Sequence, residues 1–182
     1  DIKNGGEGAP LSPIYHLALV KTLFNENKLK IPISILNIGG IANITEIDKD
    51  FNIVSRDIGP GNCLSDKWVR KNSNKLFDKN GNLAKQGKTD KFIFDQYLEN
   101  YYYSKITCKR SLDTNDFDIS FAKGLSLENG TSTITDLTSE LLSKKIGTND
   151  IYVCGGGRKN KFLINSLKNK INNKIFSIDH LN

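Results

Sequence analysis

Apolar positions along this chain follow two different periods. Short apolar runs at 33–38 (ISILNI), 41–47 (IANITEI) and 51–57 read as three strands, the last two joined by the polar turn Asp48-Lys49-Asp50. Elsewhere the apolar residues recur at helical spacing. Ile14, Leu17, Ala18, Lys21 and Leu23 mark a helix opening near Pro13, where proline suits the first turn. Residues 62–71 predict a helix with Trp68 on its apolar side, and 90–102 and 131–146 predict two more. The last of these stops at Gly147 after Lys144-Lys145, a glycine just past a basic final turn. Asp78-Lys79-Asn80-Gly81-Asn82 reads as a loop. The chain then runs strand 151–154, Gly155-Gly156-Gly157, helix 160–170 and strand 174–178. Strands followed by helices argue for an α/β fold.

Glycines break this pattern at three strand ends. A strand gains nothing from Gly39-Gly40, because glycine costs backbone entropy and packs no side chain. Without a Cβ, however, a turn can take positive φ and approach a ligand, its N–H groups converging on one concavity suited to an anion. Asn43 and Thr45 share a strand face beside that turn and offer an amide and a hydroxyl to phosphate oxygens. A plain hairpin with a polar wet face fits those ten residues equally well. Gly155-Gly156-Gly157 follows an apolar strand and precedes a helix, so a ring or phosphate could rest on the backbone where α/β sheets bind ligands; a tight strand-to-helix turn is the bland alternative. Between them, Asp57 stands before Gly59-Pro60-Gly61-Asn62, a rigid turn into a helix whose first N–H groups would be free for an anion. Asp57 also suits a helix cap or a turn hydrogen bond. Three glycine-rich strand ends in order are less easily explained by chance than any one of them.

Composition narrows the classes. With 182 residues, 37% hydrophobic and 25% charged, the chain can bury an ample core. No apolar stretch nears the ~18 residues of a membrane span, and no basic segment leading into an apolar run suggests a secretory leader. Cys63, Cys108 and Cys154 are too few for a disulfide framework and suggest a reducing compartment, the cytoplasm. With only His16 and His180 beside them, a zinc site lacks raw material. Net charge is +6, but Arg70-Lys71, Lys109-Arg110 and Arg158-Lys159 are separated by acids and interleave with no aromatic stripe, so nucleic acid is not expected as a partner. A chain with no methionine that starts at Asp1 is read most simply as a fragment.

The motifs taken in order resemble the C-terminal half of the anhydro-N-acetylmuramic acid kinase family, within the sugar kinase/actin/heat-shock-70 ATPase superfamily. The matching stretches are "GGEGAPLSPIYH" (5–16), "NIGGIANIT" (37–45), "RDIGPGNCLSDKW" (56–68), "DKNGNLAKQGK" (78–88), "RSLDTNDF" (110–117) and "VCGGGRKN" (153–160). The resemblance implies an actin/hexokinase-like α/β fold, a mixed sheet flanked by helices, with residues 1–30 an inter-lobe segment and 31–182 the nucleotide-binding lobe. It implies ATP and Mg²⁺ as cofactors, a small sugar as substrate, no membrane partner, and admits a homodimer. Gly39, Gly40, Asn43 and Thr45 would form a phosphate-binding turn; Gly155, Gly156, Gly157 and Asn160 would lie against the adenosine. Gly59, Gly61 and Asn62, with Gly5 and Gly6, would line the cleft, and Asp57 beside them would be a catalytic residue. The family cleaves the anhydro bond with water while phosphorylating the sugar's O6, which calls for phosphate positioning and a carboxylate base. Asp1 is one candidate base and an acid upstream of it the other. Glu7, Ile58 and Thr114 depart from the family's usual glutamine, threonine and arginine. The family's first phosphate loop does not occur in these residues, so they are expected to show no turnover alone. Another sugar or acetate-type kinase, or a non-catalytic nucleotide-binding lobe, is the alternative.

Overall fold

The computed structural model describes residues 13–104 and 111–181. Asp1, Gly5, Gly6 and Glu7 lie outside the described residues. Helix α1 (Pro13–Asn25) leads into strands β1 (Ile33–Ile38), β2 (Ile41–Ile47) and β3 (Ile53–Pro60), followed by α2 (Cys63–Asn72). A single 3₁₀ turn (Lys79–Gly81) opens the short α3 (Asn82–Gln86), then come α4 (Lys91–Tyr103) and the long α5 (Leu127–Ser143). Strand β4 (Asp150–Cys154), a 3₁₀ turn (Gly156–Lys159), α6 (Lys161–Lys168) and β5 (Ile175–Ser177) follow.

The five strands form one mixed sheet in the order β3-β2-β1-β4-β5. Its first three strands are antiparallel neighbours, while β1–β4 and β4–β5 are parallel. As the central strand, β1 is covered on both faces, which explains why 33–38 reads as a nearly unbroken apolar run. One face buries Leu36, Ile38, Ile44, Ile151 and Val153 under Leu142 of α5 and Leu163 and Leu167 of α6. The other buries Ile33, Ile35 and Ile47 under Val20 and Leu23 of α1. A third core joins α2, α4 and α5 around Trp68, Phe94, Tyr101, Phe117 and Ile134.

The predicted elements are all present, with informative shifts. Strand β3 runs to Pro60 rather than ending at 57, because Gly59 and Pro60 still pair with Ala42 and Ile41. Helix α5 starts at Leu127, before the expected 131, on a Ser126 side-chain cap that accepts the Asn129 N–H at 3.1 Å. Its opening residues are poor helix formers, yet each has a local reason. A Cβ at Gly130 would fall on the Trp68 ring, and the Thr131 and Thr133 hydroxyls bond back to the Leu127 and Asn129 carbonyls at 2.6 and 2.8 Å. In α1 the buried face is His16, Val20 and Leu23, whereas Ile14, expected on that face, is 77% exposed. The loop at 78–82 contains an unforeseen anchor: buried Asp78 accepts the Leu83 and Ala84 N–H groups at 2.8 and 3.1 Å and so starts α3.

Candidate nucleotide and phosphate site

The face of the sheet under α1 is graded from apolar to polar. Ile33 and Ile35 give way to Asn37 at the end of β1, and cross-strand pairing aligns Asn37 with Asn43, Asn43 with Asp57, and Asn37 with Cys154. Directly paired positions share a face, so an acid, two amides and a thiol cross four strands at the carboxyl ends of β1 and β4. A bulge between Ala42 and Asn43 admits Ile58 as the extra residue of β3. Ile58 is buried with Ala42, Ile44 and Leu142, so this departure from the family pattern is a core residue. Within the row, Asn43 Oδ1 is buried without a partner among the described residues.

The Gly39-Gly40 turn differs from expectation in one respect. Positive φ occurs at Gly59, Gly81, Gly124 and Gly155, and neither Gly39 nor Gly40 is among them. What the pair supplies is carbonyl oxygens. Asn62 N–H donates to Gly39 O at 2.7 Å, and the N–H groups of Gly61 and Cys63 donate to Gly40 O at 2.9 and 3.1 Å. The hairpin thus takes up the N–H groups of Gly61, Asn62 and Cys63, so the expectation that the turn into α2 leaves its first N–H groups free for an anion does not hold for those three. A Cβ at Gly61 would land on the Gly39 carbonyl, so Gly61 is glycine for close packing. Gly59 lies over Leu142, where a Cβ would sit at 3.4 Å. The result is a turn held rigidly from the α2 side.

Thr45 is also placed differently. It is fully buried, with its hydroxyl 3.0 Å from His16 Nδ1 and 3.2 Å from Ser55 Oγ, so it braces α1 against the sheet instead of facing open space. Burial lowers the His16 pKa from its ordinary 6.5. The unfolded chain therefore takes up a proton before the folded one does, and His16's contribution to stability is present above about pH 6.5 and lost as pH falls below it. Urea denaturation from pH 8 to 5 is expected to show stability falling below about 6.5, with a shallower fall in His16→Gln; parallel curves would remove His16 as the cause. Asp57 sits at the row's end, where its Oδ2 accepts the Leu112 N–H at 2.9 Å. This bond, to a residue 55 positions away, is neither the helix cap nor the turn hydrogen bond that the sequence offered as alternatives to a chemical role.

In the triple glycine, the three positions separate. Gly155 has φ +76°, and a Cβ there would meet Asn37 Oδ1 and, at 2.6 Å, the Ile38 carbonyl oxygen; Gly157 would overlap the Ile38 side chain. Both are packed against the end of β1. Gly156 alone faces space, its nearest neighbour being Asn62 Nδ2 at 3.8 Å. It opens onto a cavity of about 420 Å³ walled by Ser65 and Asp66 of α2, by Phe77 and Lys79, and by Lys159. Asn160, at the start of α6, reaches this wall only in part, since its side chain caps the helix by accepting the Leu163 N–H at 3.0 Å. Burial raises the Asp66 carboxyl above its ordinary value against the pull of Arg70.

Comparison with known proteins agrees with this architecture. The family model described as anhydro-N-acetylmuramic acid kinase matches residues 1–181. The chain belongs to the anhydro-N-acetylmuramic acid kinase family. It is 43% identical over 187 residues to the enzyme of that name from Pelagibacter ubique, covering 97% of this chain and 49% of the relative. It is 36% identical to the one from Zymomonas mobilis, covering 100% and 50%. The chain thus spans about half the length of these relatives. Among solved structures, the activator of the 2-hydroxyisocaproyl-CoA dehydratase from Clostridium difficile with bound ADPNP superposes with a TM-score of 0.54 at 18% identity, covering 83% of this chain and 55% of that one. This likeness places the chain in the actin-like ATPase fold class. Neither the fold nor these relatives supports the expectation that residues 1–182 are inactive alone.

In this member of the anhydro-N-acetylmuramic acid kinase family, then, the structure brings Asn37, Asn43, Asp57 and the two glycine turns to one end of the sheet, and withdraws Thr45, Gly155 and Gly157 into packing. Sequence reasoning missed Asp66, Phe77 and Asp78, which acids and an aromatic close to a glycine loop could have signalled. A second cavity of about 540 Å³ lies between α3, α5 and α6. There Asp136 accepts from Ser166 Oγ at 2.5 Å and pairs with Lys170 at 3.1 Å. Among the described residues no group of three acids, histidines or cysteines could hold a metal, and no helix is long and apolar enough to cross a membrane.

Proposed function

We propose that this chain is the nucleotide-binding portion of an ATP-dependent kinase that opens the anhydro ring of anhydro-N-acetylmuramic acid with water and phosphorylates it to N-acetylmuramic acid 6-phosphate, in cytoplasmic peptidoglycan recycling. The observation that carries it is 43% identity across 97% of the chain to a relative bearing that name. On this reading residues 31–182 are the nucleotide lobe and 1–30 the segment joining it to a second lobe. Water's oxygen bonds to the anomeric carbon as that carbon's bond to O6 breaks, the water's proton passing to a carboxylate base, and O6 takes the γ-phosphoryl group from ATP with ADP as the leaving group.

The chain's residues suit a nucleotide. Gly156 leaves room for a flat ring, and the cavity beside it is within the size range of small-molecule sites. The fold relative was solved with ADPNP bound. The Gly39-Gly40 turn, pinned by α2, offers a fixed surface for phosphates. Mg²⁺ fits as an ion carried mainly by the phosphates, since such sites need only one or two carboxylates and usually keep several waters; its chemistry is to offset charge on the transferring group.

Kinase assay of the full reading frame against the anhydro sugar and a panel of intact sugars tests the proposal, with phosphorylated product expected from the anhydro sugar. Product from another sugar alone would favour the related-kinase alternative. Gly156→Phe is expected to raise the ATP KM at least tenfold, about 1.4 kcal/mol, with the sugar KM and the thermal midpoint little changed. A rise in the sugar KM instead would put the Gly156 cavity on the sugar side.

A further inference from the structure

The segment 111–117 is strapped across the Gly39-Gly40 turn. Its beginning is held where Leu112 N–H meets Asp57 Oδ2 at 2.9 Å. Its middle is a 3₁₀ turn (Thr114–Asp116) closed by a reciprocal cap between Asp113 and Asp116. The Thr114 methyl lies 3.3 Å from where a Gly40 Cβ would be, so this residue rests on the turn itself. Its end is sunk into the core by Phe117, 2% exposed.

One side chain ties the strap to the helix beneath. Lys67 Nζ donates to the Thr114 carbonyl and, at 3.1 Å, to the Phe117 carbonyl. Lys67 stands on α2 one turn after Cys63, whose N–H holds the Gly40 carbonyl. The same helix therefore grips the turn from one side through its first N–H groups and the strap from the other through Lys67. An ammonium can bridge two carbonyls because it is a compact cation with three donors.

We infer that Lys67 is a positioning residue for phosphoryl transfer, fixing the 112–117 strap on the Gly39-Gly40 turn and so setting where the terminal phosphate is held. The inference rests on the proposed kinase reading. Transfer of a phosphoryl group depends on placement, and a shift of about 1 Å away from the chemistry can cost ~10²-fold. The base cavity at Gly156 is walled by other residues, so general nucleotide binding does not depend on Lys67.

The test uses the full reading frame with Lys67→Met, which keeps length and removes charge, and Lys67→Arg, which keeps charge. For Lys67→Met we expect kcat to fall at least tenfold, ADP affinity to change less than threefold, and the ratio of ADPNP to ADP affinity to fall at least fivefold. Hydrogen exchange should quicken at the 112–117 amides, and Lys67→Arg should recover most of kcat. Thr114→Ala, which removes the methyl resting on the turn, should lower the ADPNP:ADP ratio in the same direction if Lys67→Met is too unstable to purify. Unchanged kcat and an unchanged affinity ratio with faster exchange would overturn the inference, leaving Lys67 as a loop tether. The affinity ratio does not involve the sugar, so it stands even if the anhydro sugar proves not to be phosphorylated, an outcome that would instead sink the functional reading.

Discussion

Gly155→Ala is expected to lower unfolding free energy by about 3 kcal/mol, whereas Gly156→Ala, one residue on, should leave it within experimental error. At Gly155 the backbone holds φ +76°, and the added Cβ would meet a side-chain oxygen of Asn37 and the Ile38 carbonyl. The carbonyl belongs to the central strand and cannot swing aside as a flexible side chain could. Left-handed strain costs about 1–3 kcal/mol, and overpacking a filled space costs about 1–3 kcal/mol more. At Gly156 the nearest atom is 3.8 Å from the new methyl group, which is ordinary contact. Urea denaturation of the two variants would check the contrast. Equal destabilisation would mean that the triple glycine is one strained turn and that Gly156 does not face open space.

Trp68→Ala is expected to cost about 4 kcal/mol, at the upper end of core truncations. The indole is 3% exposed in the core shared by α2, α4 and α5, and its Nε1 donates to the Leu127 carbonyl at 3.0 Å. Truncation removes ring contacts and vacates the space that Gly130 was shaped to receive. Trp68→Phe, which restores most of the volume but not the donor, should recover about half of the loss. The comparison is read by circular dichroism against denaturant, because Trp68 is the chain's sole tryptophan and its fluorescence disappears with it. A cost below about 1 kcal/mol for Trp68→Ala would show that α2 is held chiefly by its N-terminal bonds to the hairpin. Unlike Gly155→Ala, this change leaves the glycine turns untouched, so the two losses should add.

Element type was legible wherever a period ran long enough. Alternation and apolar runs located β1 and β2 with the boundaries found, since a strand buried on both faces must be apolar throughout. The Gly155-Gly156-Gly157 break was legible because glycine acts locally. Helix α5, in contrast, ends at Ser143 with Lys144 as its C-cap, short of the expected 146, so Lys144-Lys145 do not form its last turn and Gly147 is not its stop. The start of α5 was not legible either, because Gly130 and its threonines disfavour helix in isolation, and it is the Trp68 ring, brought there by folding, that takes the space a side chain at 130 would fill. The α1 face was misjudged for a similar reason: His16 is buried only because Thr45, 29 positions away, supplies its hydrogen-bond partner.

The candidate site divides the same way. Sequence alone determined that glycine-rich strand ends would stand in order with Asn43 and Asp57 between them, and motif order alone pointed to the kinase family. Tertiary structure decided what each glycine is for. Gly39 and Gly40 serve through carbonyls that receive α2, Gly155 and Gly157 through contact with β1, and Gly156 through the space beside it. It also decided that Thr45 turns inward and that Lys67, silent in the sequence, holds the 112–117 strap over the Gly39-Gly40 turn. The physical reason is that a glycine or a lysine acquires its role from atoms brought to it by folding. Local spacing can mark where the backbone departs from regular structure, but only the sheet's strand order determines what lies across the gap.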